Sequence, residues 1–90
     1  NLNNIGLIYL NEGKDSLALA TYLEATAYFQ NLNLKSYEGS AYQNIGLIYS
    51  RDKRFSDAID NYIQALRIFQ GINNKAAVAE LYNNIGALYK

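Results

Sequence analysis

The sequence predicts an all-α fold, an α-solenoid of antiparallel helix pairs with about two full pairs and the first helix of a third. Three observations carry that prediction. Asn4-Ile5-Gly6-Leu7-Ile8-Tyr9 returns as Asn44-Ile45-Gly46-Leu47-Ile48-Tyr49 and again as Asn84-Ile85-Gly86-Ala87-Leu88-Tyr89, a fixed period of 40 residues. A period of that size marks units that bury their apolar faces only by stacking on one another. Within a unit, Leu2, Ile5, Ile8 and Tyr9 follow helical spacing, and so do Ala18, Tyr22, Ala25 and Phe29. The breaks between these stretches are short and polar, and the chain has no Pro, so unbroken helices are joined as antiparallel neighbours.

Taken in order, the first helix is expected over residues 1–11, ending at Asn11-Glu12-Gly13-Lys14. The second is expected over 16–30, with Ser16 as its N-cap ahead of an apolar pattern. After Asn31 to Leu34 the third runs over 35–50, and Arg51-Asp52-Lys53-Arg54 separates it from a fourth over 56–70, capped by Ser56. Gly71 to Asn74 leads into the fifth, over 75–90. The units are then 1–34, 35–74 and a partial third over 75–90. Gly6, Gly46 and Gly86 each cost a helix interior about 1 kcal/mol relative to Ala, and close approach of the partner helix through Ala18 and Ala58 is the expected compensation.

Composition narrows the function classes. Eight basic and eight acidic side chains cancel, which argues against the dense positive field of a nucleic-acid binder. With no Cys and no His, disulfides, thiolate nucleophiles, imidazole bases and ordinary zinc sites are excluded, and no cofactor or enzymatic activity is expected. No stretch has the length of a membrane span and no leader is visible, which favours the cytoplasm without fixing it. The chain opens without Met, on Asn1-Leu2-Asn3-Asn4 in the middle of an element, as a piece of a longer protein would.

These residues resemble the tetratricopeptide repeat. Its first helix carries a large apolar residue, Leu-Gly and Tyr, here Leu2, Ile5-Gly6, Tyr9; then Tyr42, Ile45-Gly46, Tyr49; then Tyr82, Ile85-Gly86, Tyr89. Its second carries Ala, an aromatic and Ala, here Ala18, Tyr22, Ala25 and Ala58, Tyr62, Ala65. The Pro that usually closes the second helix is replaced by Gln30 and Gln70. The usual unit has about 34 residues, and the 40-residue form is similar to the repeats of kinesin light chain, of the Pins/LGN spindle-orientation adaptors and of bacterial regulators.

The resemblance implies a right-handed superhelix whose first helices line a concave groove for peptides or protein segments. Carried over, the groove holds Asn3, Asn4, Leu7, Leu10 and Asn11; then Gln43, Asn44, Leu47, Ser50 and Arg51; then Glu80, Asn83, Asn84, Ala87 and Lys90. Asn4, Asn44 and Asn84 form a ladder. Each amide offers one acceptor and two donors, helices pack about 8 to 10 Å apart, and an extended chain advances roughly 3.3 Å per residue, so one Asn meets about every third peptide residue. The alternative, that these Asn bond only to neighbouring helices or water, stays open. At the places where the family's carboxylate-binding groove carries Lys, Arg and Asn, this chain has Asn3, Leu7, Asn44, Glu80 and Asn84; Glu80 has the wrong sign for a terminal carboxylate.

Tyr9, Tyr22, Tyr49, Tyr62, Tyr82 and Tyr89 are expected in the core, with their hydroxyls reaching an edge or a partner. Arg51, Lys53 and Arg54 read as a solvated basic turn, and Asp57 with Asp60 lacks the further ligands of a metal site. The partner expected is therefore a protein or extended peptide. A self-assembling structural module, or the sensor segment of a signalling protein, is the alternative, and the faces of Tyr82, Ile85 and Tyr89 are expected to be bare and to drive homo-oligomerisation through the terminal helices.

Overall fold

The computed structural model describes residues 1–89, and among them every regular element is a helix: α1 (Leu2–Asn11), α2 (Asp15–Asn31), α3 (Lys35–Arg51), α4 (Phe55–Gly71) and α5 (Lys75–Ala87). Four helices start and stop within a residue of their expected places. The fifth stops at Ala87, with Leu88 and Tyr89 in a turn, and Lys90 lies outside the described residues.

All four connections have one geometry. Each helix is closed by a pair of reversed hydrogen bonds, such as Gly13 N–H to the Leu10 carbonyl (3.0 Å) and Lys14 N–H to the Tyr9 carbonyl (2.8 Å), around a residue with left-handed φ: Gly13 (75°), Asn33 (56°), Lys53 (61°) and Asn73 (59°). This closure satisfies the last carbonyls of the helix. It also overturns the expected caps. The turn is so tight that α2 and α4 already begin at Asp15 and Phe55; Lys14 and Arg54 occupy the cap positions without a side-chain cap bond, and Ser16 and Ser56 fall inside the first turn. Asn74 does cap α5, its side chain accepting from the Ala77 N–H at 3.1 Å.

The helices stack in chain order, each on the next, with α1 also touching α3. The slab measures 35 × 29 × 18 Å, thin enough for two helix layers at the usual 8–10 Å spacing. Ala18, Tyr22, Ala25 and Phe29 of α2 join Leu10, Ala41, Ile45 and Ile48 in one core cluster. Ala58, Tyr62, Ala65 and Phe69 of α4 join Leu81 of α5 in a second.

The glycines work differently from expectation. A Cβ on Gly6 would lie 2.6 Å from the Tyr22 ring, and one on Gly46 would lie 2.7 Å from the Tyr62 ring. The rings therefore lie directly on the backbone of the first helix, and Ala18 and Ala58 are fully buried in the same clusters as the rings. Gly39 makes a third such seat, 2.8 Å from the Phe69 ring. Over Gly86 no side chain among the described residues comes within 4 Å.

Tyr22 and Tyr62 are buried, but Tyr82 and Tyr89 are 56% and 74% exposed. Among the described residues the buried Tyr22 hydroxyl has no hydrogen-bond partner, contrary to the expectation that it reaches an edge or a partner. Ile85, expected to be bare, instead packs against the second cluster.

Candidate functional site

The layer of α1, α3 and α5 presents the sequence-derived face. At its first row, Asn3 Nδ2 donates to the Tyr37 carbonyl of α3 at 3.0 Å, and Gln43 Nε2 donates to Glu80 Oε1 of α5 at 3.1 Å. Asn3, Gln43 and Glu80 thus fasten neighbouring first helices to each other. Asn83, the third member of that row, is exposed.

One residue further on, Asn4 is exposed and Asn44 and Asn84 are half-buried. Among the described residues, no side-chain hydrogen bond uses the amide of any of the three, although Asn3 and Gln43 next to them are bonded. Leu7 and Leu47, three residues along, are 49% and 40% exposed. Leu10, also expected on this face, is buried in the first cluster; at 3.6 residues per turn, three positions beyond Leu7 rotates a side chain by about 60°, here into the core. Arg51 lies at the edge, its Nε 3.9 Å from Asp15 Oδ2 of α2, where the two line a cavity of about 290 Å³ with Ser16, Asp52 and Arg54. Arg54 covers the Tyr49 ring at 4.7 Å and pairs with Asp57 at 2.8 Å, which gives this basic turn partners within the chain.

Sequence reasoning passed over Glu38. It is buried in the first turn of α3, with Oε1 3.7 Å from Lys35 Nζ and no hydrogen bond to that oxygen, beside a cavity of about 390 Å³ between α3 and α4. Burial, and then the Glu38 carboxylate, pushes the Tyr42 phenol up, partly offset by the Thr26 hydroxyl. The same place in the next unit is Val78, so the only signal available was a charge where the repeat accepts an apolar residue.

Among the described residues no group of three His, Cys, Asp or Glu side chains could hold a metal ion, and no helix is long and apolar enough to cross a membrane. The chemistry this face offers is amide hydrogen bonding beside apolar contact.

A family model described as tetratricopeptide repeat matches residues 1–71 and 37–90, together the whole chain. No curated protein matches it.

Proposed function

Because the chain belongs to the tetratricopeptide repeat family, a non-enzymatic scaffold whose repeats mediate protein–protein interactions, we propose that its α1, α3 and α5 face binds an extended peptide or partner segment, as part of a larger regulatory or adaptor protein. The observation that carries this reading is the set of amides on Asn4, Asn44 and Asn84, which share one register and make no side-chain hydrogen bond among the described residues. Asn is a mediocre helix former. Its recurrence without an internal bond suits pairing with the N–H and C=O groups of an extended backbone.

Magnitudes assign the ladder its part. Three Asn making two bonds each, at a net 0.5 to 1.5 kcal/mol per bond, contribute roughly 3 to 9 kcal/mol, against an association cost of about 4 to 15. The ladder sets direction and register, and apolar side chains against Leu7 and Leu47 supply the rest.

Random nine-residue peptides displayed on phage and selected on this chain provide the probe. For a selected peptide, Asn44→Ala raises Kd about 5- to 150-fold, the loss of two such bonds. Asn61→Ala, whose amide donates to the Asp57 carbonyl of α4, is the control and leaves Kd unchanged. Equal affinity for wild type and Asn44→Ala would remove the ladder. A second reading is a self-assembling module without a peptide ligand. Light scattering against concentration decides for it if mass rises while no peptide is selected.

A further inference from the structure

Among the described residues Glu38 is the only charged side chain that is buried, at 4% exposure, and it lines the cavity of about 390 Å³ between α3 and α4. Its Oε1 accepts no hydrogen bond there. Lys35 Nζ stands 3.7 Å away, near enough for charge attraction but beyond hydrogen-bond reach, on a side chain that is 47% exposed. A first turn suits a negative charge, yet the helix dipole leaves the lone pairs of Oε1 empty, and a buried carboxylate without a donor is costly. Packing does not demand the charge. The next unit repeats Gln30, Lys35 and Tyr42 as Gln70, Lys75 and Tyr82 but has Val78 where this one has Glu38.

The cavity is internal to the stack. Its walls come from α2, α3, α4 and the turn after α4, and each of those three helices packs against a helix on either side, so neither end of the chain borders it. Its volume lies within the roughly 300–1,000 Å³ of small-ligand sites. Glu38 brings a negative charge, Lys35 and the exposed Arg67 bring positive ones, and Tyr42, Ile68 and Ile72 bring apolar surface. A lone cation would have to pass Lys35 and Arg67, and a lone anion would meet Glu38. A molecule with both charges on one carbon meets neither objection, because Glu38 and Lys35 offer opposite charges 3.7 Å apart.

We propose that this cavity binds a free apolar α-amino acid. The ammonium donates to Glu38 Oε1, and the carboxylate accepts from Lys35 Nζ and the Arg67 guanidinium. Lys35 swings outward to the carboxylate, which uncovers Oε1 for the ammonium. The amino-acid side chain lies against Tyr42, Ile68 and Ile72. At 3.6 residues per turn, Asn44 is about 200° round α3 from Tyr42, so this site is on the far side from the Asn ladder and stands or falls without it.

The test is isothermal titration of the whole chain with L-leucine, beside isovalerate and isoamylamine, which carry the same side chain with only the carboxylate or only the ammonium. L-leucine binds saturably at millimolar or lower concentration, and each half-ligand binds more weakly. Glu38→Gln, which keeps the shape and removes the charge, raises Kd for L-leucine about 10- to 150-fold, the loss of one charge-assisted hydrogen bond. Glu38→Val, the residue of the next unit, abolishes binding while circular dichroism shows the helices intact. Asp60→Asn, at an exposed carboxylate of α4, leaves Kd unchanged. No saturable binding of L-leucine or L-phenylalanine at millimolar concentration overturns the proposal, as does binding that both Glu38 variants leave unchanged. Isovalerate or isoamylamine binding as tightly as L-leucine overturns the pairing of both charges.

Discussion

Gly46→Ala and Gly86→Ala make the same chemical change at the same register of two units and are expected to act with opposite signs. In helix interiors the exchange gains about 1 kcal/mol of propensity. At Gly46 the new Cβ would lie 2.7 Å from Tyr62 Cδ1 and Cε1, well inside carbon–carbon contact at about 3.5 Å. The ring cannot retreat, because Tyr62 is 3% exposed and packed among Ala58, Ala65 and Phe69. Overpacking a filled core costs about 1 to 3 kcal/mol, occasionally more, and the overlap here spans two ring atoms, which points to the upper part of that range. The net is a loss of about 1 to 2 kcal/mol, and at about 4 to 8 °C per kcal/mol for a chain of this size the melting temperature falls by several degrees. At Gly86 no side chain among the described residues opposes the propensity gain, which is at most about 1 kcal/mol because the position is close to the end of α5. Thermal melts followed by circular dichroism measure both. A Gly46→Ala protein as stable as wild type would show that the ring contact is not what keeps the glycine.

Tyr22→Phe removes a buried hydroxyl that has no partner among the described residues, and an unsatisfied buried group costs about 1 to 3 kcal/mol; urea titration is expected to show a gain of about 1 kcal/mol. Stability falls as the pH rises above about 10, the ordinary phenol value: burial pushes the Tyr22 and Tyr62 phenols up, so the unfolded chain gives up those protons first, the contribution is complete below that pH, and it is lost above it. Melts at alkaline pH check the slope, which is shallower in Tyr22→Phe. Lys53→Gly relieves a left-handed φ of 61° at an exposed position, where an L residue carries about 1 to 2 kcal/mol of strain. Allowing for the greater freedom of an unfolded glycine, a rise of up to about 1 kcal/mol is expected in the same titration.

Helix positions were readable because the 40-residue period aligned three copies of the same pattern, and any error in one was corrected by the others. The seats beneath the rings were less so. Ala18 and Tyr22 are four residues apart on one helix face, and spacing does not say which of them crosses to the glycine; the reach of the ring decides it. The misplaced caps have a similar origin: Ser16 and Ser56 have the right chemistry, but the left-handed residue that sets the turn is Gly13 in one case and Lys53 in the other, and Lys carries no signal for that conformation. Glu38 was invisible because a charge in a first turn ordinarily faces water. On the candidate face, the sequence named the rows, but only coordinates separated Asn3 and Gln43, which bond along the layer, from Asn4 and Asn44.

The left-handed residues stand at 13, 33, 53 and 73, 20 apart, half the period that the sequence advertises. A single helix with its turn is thus the step by which this chain grows, and the pair is two such steps. Each step closes with bonds reaching at most five residues back along the chain, so the first contacts to form are local ones and the entropy of long loops is not an obstacle. The same geometry governs disassembly. A helix held on both sides, like α3, opens only with its neighbours, so the stack loses order one rung at a time, as stacked repeats do.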